Sequence, residues 1–146
     1  MYVGESLNGT RQALAATVLL VEDEPIIRLD LASELRGARY DVIEASNADE
    51  AFAALQSHPV DLMISDVVMP GSMDGVQLAA RARQICSGVK IIIVSGQLFS
   101  SPPRNLADGY FPKPCGSLAV LKSCRRLLNE RPVSCTADPT FRAQKV

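Results

Sequence analysis

Five short apolar runs, each followed by a segment of helical spacing or a turn, constrain this chain more than any other feature. The runs are Thr17-Val-Leu-Leu-Val21, Tyr40-Asp-Val-Ile-Glu-Ala45, Leu62-Met-Ile64, Val89-Lys-Ile-Ile-Ile-Val94 and Tyr110-Phe-Pro112. Short runs with little polar interruption fit strands covered on both faces. Between and after them, apolar positions recur every three or four residues. These are Ile27, Leu31 and Leu35; Ala48, Ala51, Phe52 and Leu55; Leu78, Ala82 and Ile85; and Leu118, Leu121, Cys124 or Arg125, and Leu128. Strands alternating with helices imply an α/β fold whose parallel sheet carries helices on both sides. Right-handed crossovers make it doubly wound, and the flavodoxin-like order 2-1-3-4-5 is the natural choice for five units.

Local signals support these boundaries. Pro25 suits a first helical turn, where its missing N–H is not needed, and Gly37 can end that helix. Asn47 and Asp74 stand where N-caps are expected. Pro70, Gly71 and Gly75 punctuate the turn after the third strand. The fourth crossover, residues 96–109, is the exception. Ser101-Pro102 can start a helix there, but only a turn or two fits before Asp108-Gly109, so the fourth helix is expected to be shortened. Residues 1–16 read as an N-terminal arm, 17–129 as the domain, and 130–146 as a flexible C-terminal tail.

Composition removes several function classes. Lys+Arg 15 against Asp+Glu 16 leaves a net charge of -1, which offers no electrostatic case for nucleic acid or an anionic membrane. There is no apolar run long enough for a membrane span and no signal-peptide pattern, so a cytoplasmic protein is expected. The four cysteines show no Cys-x-x-Cys spacing, which speaks against a zinc site and for free thiols in a reducing compartment.

The chemistry converges on the carboxyl edge of the sheet, where open α/β sheets place their sites. Strand 1 delivers Glu22 and Asp23, strand 3 Asp66, strand 4 Ser95 and strand 5 Lys113. An isolated acid at a strand end is usually a turn former, but here three acids would share one crevice and repel one another. A hard divalent cation such as Mg2+ relieves that repulsion with oxygen ligands. A lysine and a hydroxyl opposite the acids fit a phosphoryl group, and a carboxylate can itself be the nucleophile that forms an aspartyl phosphate.

At this point the chain resembles the receiver domain of bacterial two-component response regulators, and most of all the single-domain chemotaxis-regulator type and the receivers of hybrid kinases. The resemblance covers about residues 17–129. It rests on Val-Glu-Asp-Glu-Pro (21–25), Ile-Ser-Asp-Val-Val-Met-Pro (64–70) with Met-Asp-Gly (73–75), Val-Ser-Gly (94–96), Gly-Tyr (109–110) and Lys-Pro (113–114). It implies that Asp66 is the phosphoacceptor and that Glu22, Asp23, Asp66 and the backbone carbonyl of Val68 hold Mg2+. Ser95 would hydrogen-bond the phosphoryl oxygen, Lys113 would pair with it, and Tyr110 would be the aromatic switch. The Lys113-Pro114 bond is expected to be cis. The implied partners are a sensor histidine kinase or histidine phosphotransfer protein and a protein target. The protein would catalyse only its own phosphorylation and dephosphorylation, and would not be an enzyme in the ordinary sense.

Three departures from the family pattern carry expectations. Glu22 replaces the usual aspartate. The turn after Asp66 holds one extra residue, Gly71-Ser72 filling the gap. Val68, two residues after Asp66, cannot orient an attacking water, so a long-lived phosphoform is expected. Because the fourth helix helps to form the family's dimer and target face, the usual dimer is not expected. Met1 and a complete domain favour a stand-alone protein, and the 17 residues after Asn129 are too few for a DNA-binding domain. Its signal would therefore pass by protein–protein contact. The alternatives are a receiver-fold adaptor or a phosphate sink without a dedicated output. A phosphatase is disfavoured because Val68 stands where its second aspartate would. His58, the single histidine, reads as a solvated loop residue.

Overall fold

The computed structural model describes residues 15–96 and 105–130. In chain order they form β1 (Thr17–Val21), α1 (Pro25–Gly37), β2 (Asp41–Ala45), α2 (Ala48–Ser57), β3 (Leu62–Ser65), α3 (Gly75–Ile85), β4 (Lys90–Ser95), β5 (Gly109–Pro112) and α4 (Ser117–Glu130). The strands make one sheet in the order β2-β1-β3-β4-β5. Every neighbouring pair is parallel. The doubly wound expectation is therefore met. The shortened fourth helix falls on residues 97–104, and most of the arm and nearly all of the tail also lie outside the described residues.

Alternation along the strands sorts the core into two layers, because successive side chains point to opposite faces. Leu19, Val21, Met63, Ile91 and Ile93 pack with Ala48, Ala51 and Leu55 of α2 and Leu78, Ala79 and Ala82 of α3. Val18, Leu20, Leu62, Ile64, Ile92 and Val94 pack on the other face with Ala32 and Leu35 of α1 and Val120, Cys124 and Leu127 of α4. Fully burying a side chain of this size contributes roughly 1.5–3 kcal/mol, whereas an exposed ion pair contributes about 0–1 kcal/mol. The two apolar layers therefore dominate the fold, and the charges decide only local geometry.

Two helices bury most of the stripe their spacing predicts but leave its first residue exposed: Leu31 and Leu35 of α1 and Leu121, Cys124 and Leu128 of α4 meet the core, whereas Ile27 and Leu118 do not. In α1 the buried residues are Ala32 and Leu35, while Ile27 is exposed. In α4 the buried residues are Val120, Cys124 and Leu127, and Leu118 is 64% exposed. Apolar period marks the stripe but not how far along it the helix stays against the sheet; the docking angle does.

The helix starts behave as expected. Pro25 opens α1, and the Asn47 side chain accepts from Glu50 N at the start of α2. Asp74 and Gln77 form a full capping box on α3. After α1 the left-handed position is taken by Arg39, with φ 74, rather than by a glycine. Cys115 and Cys124 are free thiols, but Cys86 is disulfide-bonded, which corrects the expectation of a free thiol there. That expectation rested on compartment alone.

Candidate functional site at the carboxyl edge of the sheet

Strand register brings the acids together. Val21 of β1 pairs with Ser65 of β3, so the next residues, Glu22 and Asp66, leave the sheet side by side. One carboxylate oxygen from each of Glu22, Asp23 and Asp66 lies within 4.8 Å of the others. Lys113 follows β5, two strands from β3 in the sheet order. Neighbouring strands lie about 4.8 Å apart, so a long side chain is needed to span that gap. Lys113 spans it, its Nζ donating to Asp66 Oδ2 at 2.8 Å and to Glu22 Oε1 at 2.6 Å.

Each acid is held differently. Asp66 Oδ1 accepts from Val67 N at 2.7 Å, which leaves Oδ2 toward Lys113. Glu22 is buried at 4% exposure. Burial pushes its carboxyl above the usual carboxylate range, opposed by the hydrogen bond and charge of Lys113. Desolvation works to lower the ammonium pKa of Lys113, but hydrogen bonds and charge from Asp66 and Glu22 outweigh it and hold it above the usual lysine range. Arg28, on the first turns of α1, donates to the Glu22 carbonyl at 2.9 Å and contacts Glu44 at 3.3 Å, fixing the backbone that carries the acid.

The donor set fits a hard cation. Glu22 Oε2 is buried without a hydrogen-bond partner among the described residues. Leaving such an atom unsatisfied costs about 1–3 kcal/mol. Three carboxylates against one ammonium also leave negative charge uncompensated. A magnesium-like ion taking carboxylate oxygens answers both deficits.

The loop after β3 is held by a close approach. Gly75 N donates to Val67 O at 2.8 Å, and a Cβ built on Gly75 would lie 1.9 Å from the Asp66 carbonyl oxygen. Only glycine fits, which gives Met-Asp-Gly a structural reason. The extra residue in this loop is accommodated at Gly71, with φ 120, and Ser72 donates both N–H and hydroxyl to Asp49. Val68, on the same loop, is 54% exposed.

The remaining residues sit nearby in the fold. Ser95 ends β4 and is buried, and its carbonyl accepts from Lys113 N at 2.8 Å. The Lys113-Pro114 peptide is cis, as expected. Tyr110, in β5, packs against the layer containing Ala107, Ile91 and Ile93, and burial raises its phenol pKa. Glu22, Asp66 and Lys113 line one side of a cavity of about 600 Å3, whose apolar wall includes Ile27, Leu31, Ile64 and Val120. Arg28 and the Arg83–Asp108 pair were not singled out from the sequence, and Gly75 was read only as turn punctuation, not as a close approach. The Met-Asp-Gly spacing was the available signal for Gly75; the two arginines have none, since their partners are fixed only by packing.

A doubly wound parallel sheet with an acidic, lysine-bridged pocket at its carboxyl edge defines an α/β module of the flavodoxin-like class. The family model for the response regulator receiver domain matches residues 18–125, and the chain belongs to that family. Among relatives, it is 35% identical over 113 residues to the response regulator receiver protein CpdR of Brucella abortus, covering 77% of this chain and 91% of that one. It is 37% identical over 123 residues to the sensor kinase CckA of the same organism, covering 80% of this chain but only 13% of the kinase. Among solved structures, the response regulator TrrA of Thermotoga maritima in complex with Mg2+-BeF superposes with a TM-score of 0.70. It is 31% identical, over 77% of this chain and 98% of that one. Receiver domains are signalling modules of two-component systems and interact with histidine kinases or phosphotransfer proteins.

Proposed function

We propose that this chain is a stand-alone receiver that takes a phosphoryl group onto Asp66 from the phosphohistidine of a sensor histidine kinase or histidine phosphotransfer protein. The Lys113 ammonium held between Glu22 and Asp66, at 2.6 and 2.8 Å, carries this reading. It puts a fixed cation beside the one carboxylate whose other oxygen is already oriented by Val67 N. An Asp66 oxygen attacks phosphorus, the P–N bond breaks, and the electron pair returns to the imidazole, which takes a proton. Lys113 then pairs with the phosphoryl oxygens, and the Ser95 hydroxyl donates to them. Hydrolysis reverses the modification when water attacks phosphorus and Asp66 leaves as carboxylate. The protein thus acts on itself and on no metabolite.

Glu22, Asp23 and Asp66, with the Val68 carbonyl, are the residues that would hold Mg2+. A divalent ion there neutralises charge on the transferring phosphoryl group. The Mg2+-BeF complex of the related TrrA supports this ion choice. Tyr110 acts as the switch, its ring changing position when Ser95 engages the phosphoryl group.

Output passes by protein–protein contact from the 17–129 domain in the cytoplasm. No helix among the described residues is long and apolar enough to cross a membrane. Ile26, 83% exposed, lines the same cavity as Asp66 and offers a partner an apolar anchor beside the phosphoacceptor.

The test is intact mass after incubation with acetyl phosphate. A gain of about 80 Da in the wild type with Mg2+, absent in Asp66→Asn and absent with chelator, is expected. No gain under conditions that label another receiver overturns the reading.

A further inference from the structure

An ion pair remote from the acidic pocket ties three segments together. Arg83 lies in the last turn of α3. Its Nη1 donates to Val89 O at 3.1 Å, just before β4, and its Nη2 donates to Asp108 Oδ2 at 2.9 Å, just before β5. A longer contact of 3.5 Å reaches Leu106 O. Asp108 is itself locked to β4, accepting from Ile91 N at 2.9 Å and donating its own N–H to Ile91 O at 2.7 Å. Arg83 Nε is buried with no hydrogen-bond partner among the described residues. The side chain is therefore held by its outer nitrogens, stretched toward the approach to β5.

Tyr110 follows two residues later and pairs in register with Ile93. Leu106 and Ala107, which lead into Asp108, pack against the same core layer as the tyrosine. The Ala107 backbone hydrogen-bonds the tyrosine, and both Arg83 and Asp108 act on it electrostatically. The segment that the arginine clamps is thus the segment that contacts the switch ring.

We infer that Arg83, acting through Asp108, is a positioning residue for Tyr110: it fixes the start of β5 and so sets the resting position of the ring. This rests on the switch reading above for its consequence in signalling, but the positional claim holds for the free protein. The pair connects the far end of α3 to the ring, and a bias on the ring's resting state shifts the coupled phosphorylated-state equilibrium by up to the same free energy, through linkage.

The experiment is magnetic resonance on the full chain with ring-labelled tyrosine, the Tyr110 signal being assigned with Tyr110→Phe. Spectra are recorded on the free protein and after adding Mg2+ with beryllium fluoride. In Asp108→Asn and Arg83→Gln, the free-protein Tyr110 signal is expected to move or broaden, with Arg83→Lys restoring most of the wild-type position. Apparent affinity for beryllium fluoride is expected to change roughly fivefold or more, the usual lower range of such coupling. Acetyl phosphate labelling of Asp66 should persist in all three. Asp108→Asn keeps an acceptor for Ile91 N and serves if Arg83→Gln does not fold. A Tyr110 signal superimposable on the wild type in the folded variants, even with lowered melting temperature, overturns the inference. Failure of the receiver reading would look different: no Asp66 labelling in the wild type, whatever the free-protein ring signal does.

Discussion

Lys113 Nζ lies 2.8 Å from Asp66 Oδ2, although the two residues are 47 positions apart and strand β4 runs between theirs. The same ammonium reaches Glu22, 91 positions away, at 2.6 Å. One lysine, two strands along the same carboxyl edge, therefore closes the acidic pocket.

Removing that cation should expose the repulsion it masks. Lys113→Ala leaves Glu22 and Asp66 facing each other without a positive partner. The loss should fall between the about 1 kcal/mol of an exposed pair and the about 3–5 kcal/mol of a broken buried one, because Lys113 is itself partly solvated. Calorimetry in chelator should show a lower melting temperature than wild type, and Mg2+ should raise it by more than it raises the wild type. An identical Mg2+ response in both proteins would contradict this account.

Gly75→Ala should be among the most damaging single changes. Its Cβ would sit 1.9 Å from the Asp66 carbonyl oxygen and 2.9 Å from Val67 Cα, both backbone atoms that cannot swing away. A loss of about 3 kcal/mol or more, at the top of the overpacking range, is expected in urea unfolding. Gly37→Ala is the control. Nothing lies within 4 Å of its added Cβ, and it should be neutral or stabilising by up to about 1 kcal/mol.

Val68 sets the lifetime of the modified protein in this reading. Its apolar side chain, 54% exposed two residues after Asp66, has no group with which to orient water. Purified phosphoprotein should decay slowly, and Val68→Asn should shorten its half-life. Decay within seconds for the wild type would refute the idea.

Stability should fall at alkaline pH through Cys124. Burial in the layer between α4 and the sheet pushes this thiol from 9.0 up to about 12. A raised folded-state pKa means the folded protein holds the proton more tightly than the unfolded chain. Its stabilising contribution is thus complete below pH 9.0 and is lost between pH 9.0 and about 12. Each pH unit in that window costs about 1.4 kcal/mol. Cys124→Ala should flatten the slope of unfolding free energy against pH there; an unchanged slope would assign the alkaline loss to other groups.

Much of the architecture was legible because its signals are local. The apolar runs at 17–21 and 89–94 mark buried strands, Asn47 and Asp74 mark helix starts, and the order of the acids, serine and lysine along the chain points to one sheet edge. Parallel topology then forces those strand ends to the same side, which is why Glu22, Asp23, Asp66 and Lys113 could be grouped before any coordinates.

Facing and contact were another matter. Spacing put Leu35 and Cys124 on buried stripes, but it also put Ile27 and Leu118 there, which docking leaves exposed, and it did not single out Ala32 and Val120, which docking buries. The Gly75 approach to Asp66, the reach of Arg28 to the Glu22 carbonyl and the Arg83–Asp108 clamp join residues whose sequence separation carries no period. By itself the sequence determined which segments become strands and helices and which polar residues arrive at the carboxyl edge, since backbone propensity and hydrophobic period are local. Only the tertiary structure decided how far along each helix stripe burial extends, which oxygen of Asp66 meets Lys113 and which arginine steadies β5, because those depend on distances set by packing two layers onto one twisted sheet.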